Sequence, residues 1–400
     1  MAQAAAVDPL APPPARILPA IAVSQFAGTS LWFAINAVVP DLEARAGLPP
    51  GSAAWLTSAV QVGFIAGTLV FALLAVADRF SPRWVFTICG LLGSALALAT
   101  LWVPPTLPAL VLLRFATGFV LAGIYPVGMK IAAGWYAGGL GWALGVLVGA
   151  LVLGTAAPFG LRALGASWRW EDVMAAVALF AAAGALLMAL LVPDGPYLRK
   201  APRIDPRALA VIWRDPPVRA SAFGYFGHMW ELYAFFVLLP LIVAHRWPEA
   251  SLAVQSAWVF AAIAAGAIAC VGGGLLARRM GGARVASVLL AVGGLCGLVS
   301  PWMLQAPMEA WAAWILLWGF CVSGDSPQFS ALTAQNAPRE WVGSVLTFVN
   351  SLGFTLSVAT ILAFSAAVHR FGLGPVLPWL ALGPALGLLA MRPLWRREMG

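Results

Sequence analysis

The sequence predicts an all-α membrane protein, with twelve transmembrane helices in two pseudo-symmetric six-helix bundles. Three observations carry that reading. Twelve stretches are each apolar enough and long enough to cross a bilayer, which takes about 20 mainly apolar residues for a hydrocarbon layer of roughly 30 Å. Of 400 residues, 62% are hydrophobic and 10% charged, with a mean hydropathy of +0.90. Soluble domains carry roughly a quarter charged residues, so a water-soluble fold is excluded. The second half of the chain also matches the first at an offset of about 200 residues, and such repeats decide architecture.

Taken in order, residues 1–16, MAQAAAVDPLAPPPAR, are expected to form a disordered cytoplasmic tail. They are broken by prolines and no small-residue cleavage site follows a brief apolar core, so they do not read as a signal peptide. Six spans are predicted near 17–39, 53–76, 84–103, 108–130, 140–161 and 172–193, giving an N-terminal bundle over 17–193. Residues 194–219 then carry Arg199, Lys200, Arg203, Arg207, Arg214 and Arg219 with five prolines, and read as a cytoplasmic linker. The C-terminal bundle, 220–391, holds spans near 220–243, 252–276, 285–304, 309–332, 342–364 and 374–391, and 392–400 forms a second cytoplasmic tail.

Cytoplasmic loops are enriched in Lys and Arg. With the N-terminus inside, seventeen such residues fall on the inner side and five on the outer side: Arg45, Arg162, Arg169, Arg246 and Arg370. Both termini are therefore expected in the cytoplasm of a multi-pass protein of the plasma (inner) membrane. The same asymmetry accounts for the net charge of +8 through topology and attraction to anionic lipid, and no nucleic-acid partner is expected. Cys89, Cys270, Cys296 and Cys321 lie in separate spans with no C-x-x-C, so neither a disulfide framework nor a metal site is predicted.

The repeat is visible residue by residue. Gly118, Phe119, Gly123 and Pro126 of the fourth span align with Gly319, Phe320, Gly324 and Pro327 of the tenth. Phe26, Ala34 and Pro40 align with Phe226, Ala234 and Pro240 in the first and seventh. The loop Ala77-Asp78-Arg79-Phe80-Ser81-Pro82-Arg83 aligns with Ala277-Arg278-Arg279-Met280-Gly281.

Two six-helix halves of the same sense joined by a basic linker resemble the major facilitator superfamily of secondary transporters, over nearly the whole chain. The family signature after the second helix, G-x-L-a-D-r-x-G-r-r/k, is kept at Asp78, Arg79 and Arg83, whereas Leu74 and Ser81 replace its glycines. The second copy keeps Gly274, Leu276, Ala277, Arg279 and Gly281 but has Arg278 at the acid's place, and the fourth-helix R-x-x-x-G appears as Arg114 with Gly118. The resemblance implies a transporter whose halves rock about a site near the bilayer midplane, lined by helices 1, 4, 7 and 10. It also implies that Asp78, Arg79, Arg83 and Arg278 gate the cytoplasmic face, with Asp78 at the start of the eleventh span near Trp341.

The distribution of polar residues points the same way, because an ionisable group facing lipid costs at least about 2.5 to 3.5 kcal/mol. Arg114 lies in the fourth span, His228 and Glu231 in the seventh and Asp325 in the tenth. Gln25, Thr29, Trp32 and Asn36 form a helical stripe in the first span, as do Gly224, His228, Glu231 and Phe235 in the seventh and Arg114, Gly118, Leu121 and Tyr125 in the fourth. These stripes are expected to line a cavity or, for the first, to fasten helices together. The expected substrate contacts are Gln25, Trp32, Asn36, Arg114, Tyr125, His228, Glu231, Tyr233, Asp325 and Gln328. Glu231 is the expected proton carrier, with His228 hydrogen-bonding it or sharing its proton, and Asp325 is either a second proton carrier or part of an inner gate with Gln328 beside it. Arg114 either binds a substrate anion through its fork, serves a proton relay, or pairs with Glu231. Among the deeper tryptophans, Trp32, Trp230 and Trp318 are candidates to meet an apolar or aromatic solute.

The predicted function is thus proton-linked transport of a small organic solute, anionic or amphipathic, by a monomer in the bilayer that needs no cofactor. Export or facilitated passage of hydrophobic compounds is the alternative within transport, and a non-transporting receptor or assembly factor is the alternative outside it. An enzyme is not expected, since there is no nucleotide loop, no G-x-S-x-G and no histidine-rich cluster.

Overall fold

The computed structural model describes residues 13–136, 138, 140–165, 167–198 and 204–399. Most of the expected N-terminal tail, and Arg199, Lys200 and Arg203 of the linker, lie outside the described residues. The described chain is helical and contains no strand. Nine helices among the described residues are long and apolar enough to cross a membrane, and Ile17–Thr29 and Gly282–Leu298 are shorter apolar helices.

The helices follow the predicted order, and their breaks have local causes. The first segment runs as Ile17–Thr29 and then loosens into a 3-10 turn at Ile35–Ala37, short of the expected end at 39. The Thr29 hydroxyl donates to the Gln25 carbonyl at 2.8 Å and the Ser30 hydroxyl to Ala27 at 2.6 Å, bonds that compete with a continuing helix. The second segment is Ser52–Leu73 and the third Pro82–Ala99. The fourth is broken into Leu107–Leu121 and Tyr125–Trp135, and the tenth into Met308–Gly324 and Ser326–Asn336. Pro126 and Pro327 stand in the first turn of each lower half, where a missing N–H cannot continue the ladder. The repeat therefore preserves the break as well as the sequence.

The fifth, sixth, eighth and eleventh segments are Leu140–Leu164, Trp170–Leu191, Leu252–Met280 and Val342–Phe371. The seventh, Pro216–Arg246, begins before the expected 220, because Asp215 accepts the Val218 N–H at 3.1 Å and Pro216 opens the helix. The linker holds a short helix, Ala208–Arg214, and the Asp205 N–H ties it to the Ser344 hydroxyl at 3.0 Å. The last helix, Leu382–Met399, runs through what was expected to be a tail. Its Glu398 carboxylate accepts the N–H groups of Ala283 and Arg284 at 3.0 Å each, capping the ninth segment, Gly282–Leu298, where a helix start favours negative charge.

Close packing within each half rests on matching glycines. A Cβ on Gly118 would sit 1.9 Å from the Val60 carbonyl oxygen, and one on Gly319 would sit 1.9 Å from that of Ala262. The fourth segment thus touches the second as the tenth touches the eighth. Between the halves, the fifth segment packs on the eighth and the second on the eleventh. The Ser357 hydroxyl donates across that second seam to Gln61 Oε1 at 2.6 Å, fully buried.

Candidate functional site

Between the halves lies a cavity of about 540 Å³, walled by the first, second, fourth and fifth segments on one side and the seventh, tenth and eleventh on the other. Lys130, Met129, Gly343 and Thr347 stand at its linker end. Adjoining it there, and sharing Thr68, Pro126, Lys130, Gly343 and Thr347 with it, is a hollow of about 270 Å³ that includes Asp78, Ile204 and Ser344. Away from the linker the cavity ends on aromatic rings from both halves. Trp32 lies 4.8 Å from Phe64, 5.7 Å from Phe354 and 6.1 Å from Tyr233, centroid to centroid, and Phe33 meets Phe236 edge-on at 5.9 Å. Such contacts contribute about 0.5–1.5 kcal/mol each beyond area burial.

The wall is mostly aromatic and aliphatic. Lys130 is the only charged side chain on it among the described residues, and it pairs with Asp78. Three buried polar atoms on the wall, Trp32 Nε1, Thr68 Oγ1 and Ser323 Oγ, have no hydrogen-bond partner among the described residues. A buried donor normally finds one, so these atoms are suited to meet a solute.

The ionisable residues of the sequence motifs do not line this cavity. Glu231 Oε1 accepts the Trp318 N–H at 2.6 Å, and a Cβ on Gly293 would lie 3.2 Å from Oε2. His228 Nδ1 stands 2.7 Å from Asp325 Oδ1, close enough to pair with it but not aligned as a hydrogen bond. All four side chains are buried inside the C-terminal half. Asp325 sits at the break of the tenth segment, flanked by Ser323 and Ser326, which do reach the cavity. The acids therefore lie one layer behind the wall. His228 faces Asp325 rather than sharing the hydrogen bond of Glu231.

Arg114 does not line the cavity. Its Nη1 donates to the Leu31 carbonyl at 2.9 Å and its Nη2 to that of Trp32. Those carbonyls are freed where the first segment breaks, and a backbone group left unpaired at membrane depth is costly, so the fork supports the break. No ion pair joins it to Glu231 among the described residues.

Of the remaining predicted contacts, Trp32, Tyr125 and Tyr233 line the cavity. Gln25 is buried against Gly128 inside the N-terminal half. Asn36 donates to Thr57 at 2.7 Å, fastening the first segment to the second, and Gln328 is buried beside Gly273 and Gly282. Trp318 serves Glu231, while the Trp230 N–H bonds the Trp379 carbonyl at 3.2 Å and neither reaches the cavity. At the linker end Asp78 is held by Lys130, Arg79 is exposed, the Arg83 guanidinium lies 5.0 Å from the Trp84 ring centroid, and Arg278 is exposed. Asp78 shares a hollow with Gly343 and Ser344, which stand in the first turn of the eleventh segment next to Trp341.

Sequence reasoning missed Lys130 and Ser323 on the wall and the Gln61–Ser357 bond across the seam. It also took the wrong face of the seventh segment. The stripe Tyr225, Met229, Leu232, Phe236 lines the cavity, whereas His228 and Glu231 point into their own half. The signal for Lys130 was present: it is a lone cation at the end of a span.

Comparison with known proteins agrees with this architecture. The sequence profile described as Major Facilitator Superfamily matches residues 21–361. No curated protein sequence matches the chain. Among solved structures it is similar to the human organic anion transporter MFSD10 (TETRAN), with a TM-score of 0.72 and 18% identity over 95% of this chain and 100% of that one. At that identity the likeness is one of fold. With the profile covering most of its length, the chain belongs to the Major Facilitator Superfamily, a family of membrane transporters.

Proposed function

We propose that the protein is a proton-coupled carrier of a small amphipathic organic anion, working as a monomer by alternating access. In this reading it spans the inner membrane twelve times, with the linker and both termini in the cytoplasm. The shorter segments Ile17–Thr29, Gly282–Leu298 and Met308–Gly324 with Ser326–Asn336 complete the count. The observation that carries the proposal is the cavity itself, which adjoins a second hollow at the linker end and is plugged by rings from both halves at the other. The apolar body of the solute rests on Trp32, Tyr233 and Phe354 and takes a hydrogen bond from Trp32 Nε1. Its anionic head is drawn to Lys130, the charged group of the wall, which exchanges Asp78 for the solute. MFSD10 is itself described as an organic anion transporter, which is consistent with that choice.

Coupling is assigned to Glu231 and to the His228–Asp325 pair. A carboxyl in a dry site is neutral or paired at far lower cost than it is charged and alone, so a proton taken or released there favours one packing of the tenth segment. Since Ser323 and Ser326 flank Asp325, a shift at the break moves the cavity wall. Asp78 with Lys130, on the hollow at the linker end, and Arg79 and Arg83 of the same loop gate the cytoplasmic mouth. The mostly apolar wall also favours a second reading, export of hydrophobic compounds.

The test is uptake of tritiated aromatic carboxylates and of hydrophobic cations into proteoliposomes, with and without an inward proton gradient. Carboxylate uptake should rise with the gradient, and Glu231→Gln, whose amide oxygen still accepts from Trp318, should remove the stimulation while leaving exchange intact. Gradient-independent uptake unchanged by Glu231→Gln would end the coupling proposal. Movement of cations in preference to carboxylates would favour the second reading.

A further inference from the structure

We propose that the lipid-facing groove at the linker end of the eighth segment is a binding site for an anionic phospholipid, with an acyl chain in the slot and the phosphate between Arg278 and Arg279. The slot, about 150 Å³, is bounded by Gly272 and Leu276 of the eighth segment, Val288 of the ninth and Phe320 of the tenth. It continues across Gly272 and Leu276 into a hollow of about 630 Å³ that ends on Arg278 and Arg279. Leu275, Leu276 and Val288 are 47%, 46% and 57% exposed, which suits a surface whose solvent is acyl chain. A Cβ on Gly272 meets nothing within 4 Å, so this part of the groove is open.

Charge decides which lipid. Both arginines are exposed and neither has an acidic partner among the described residues. The neighbouring acid, Glu398, is occupied by the N–H groups of Ala283 and Arg284. The repeat sharpens the point. In the first copy Asp78 and Lys130 form a pair, whereas the matching positions in the second copy are Arg278 and Ala331. Where the first copy has an ion pair, the second has a cation beside an open groove with no acidic partner among the described residues. Arginines at the end of an apolar helix sit at headgroup depth, and the guanidinium fork matches phosphate oxygens.

Native mass spectrometry of the full chain from micelles containing equal phosphatidylglycerol and phosphatidylcholine tests the site. Wild type should retain phosphatidylglycerol in preference, and the double variant Arg278→Ala, Arg279→Ala should lose that preference by about tenfold or more, given the attraction of each basic residue for anionic lipid. Gly272→Leu, which fills the slot but keeps both charges, should lower phosphatidylglycerol retention as well. The double variant Arg396→Ala, Arg397→Ala removes the same charge from the same end of the molecule and should retain the lipid as wild type does. Equal loss in both double variants would mean a diffuse surface potential and no site. Unchanged retention in the Arg278, Arg279 variant or in Gly272→Leu would overturn the proposal outright.

Discussion

Trp32 and Arg114 meet at one point of the fold and do opposite work. The Trp32 carbonyl is held by Arg114 while its indole N–H, on the cavity wall, has no partner among the described residues. Trp32→Phe keeps the ring contacts and removes the donor. If the N–H bonds the solute, KM for carboxylate uptake should rise about tenfold, the worth of one good hydrogen bond, with the melting temperature in detergent unchanged. Arg114→Ala should instead destabilise by about 2 kcal/mol or more, the cost of two buried carbonyls left unpaired, and should leave KM near wild type in the protein that folds. Residue identity was legible from sequence and direction was not. A lone polar group in an apolar span must avoid lipid, but the interior of a six-helix half shields it as well as a cavity does. That is why Glu231 and His228 turned inward while Tyr233 and Phe236 took the wall.

At the scale of elements, the breaks of the fourth and tenth segments were foreshadowed by Pro126 and Pro327, whereas the break of the first was hidden in hydroxyl back-bonds that no proline marks. The matching glycines have an equally local meaning. Gly118→Ala and Gly319→Ala should each lower the yield of folded protein sharply, because the added Cβ would lie 1.9 Å from a carbonyl oxygen, far inside van der Waals contact. The loop after the second segment holds a different lesson. Leu74 replaces the family glycine, yet the left-handed residue is its neighbour Ala75, at φ 49° and ψ 43°. A side chain there costs roughly 1–2 kcal/mol, partly offset by the greater entropy glycine loses on folding. Ala75→Gly should therefore stabilise by about 0.5–1 kcal/mol in thermal unfolding.

For the whole molecule, the two-half architecture could be read from repeat, linker and hydropathy, and the family profile and the fold agree with it. What the sequence could not reveal is the seam. Gln61 and Ser357 are ordinary polar residues in separate halves, and only the folded chain brings them to 2.6 Å. That seam and the aromatic plug close the molecule away from the linker, while the cavity reaches toward Lys130 at the other end. Alternating access requires the seam between the second and eleventh segments to part in every cycle. The direct measurement is carboxylate uptake by proteoliposomes bearing Gln61→Cys and Ser357→Cys joined by a short reducible thiol crosslinker. Uptake should stop on crosslinking and return on reduction, with each single-cysteine variant unaffected by the reagent. Uptake that continues at the uncrosslinked rate with the seam locked would contradict a carrier built from two rocking halves.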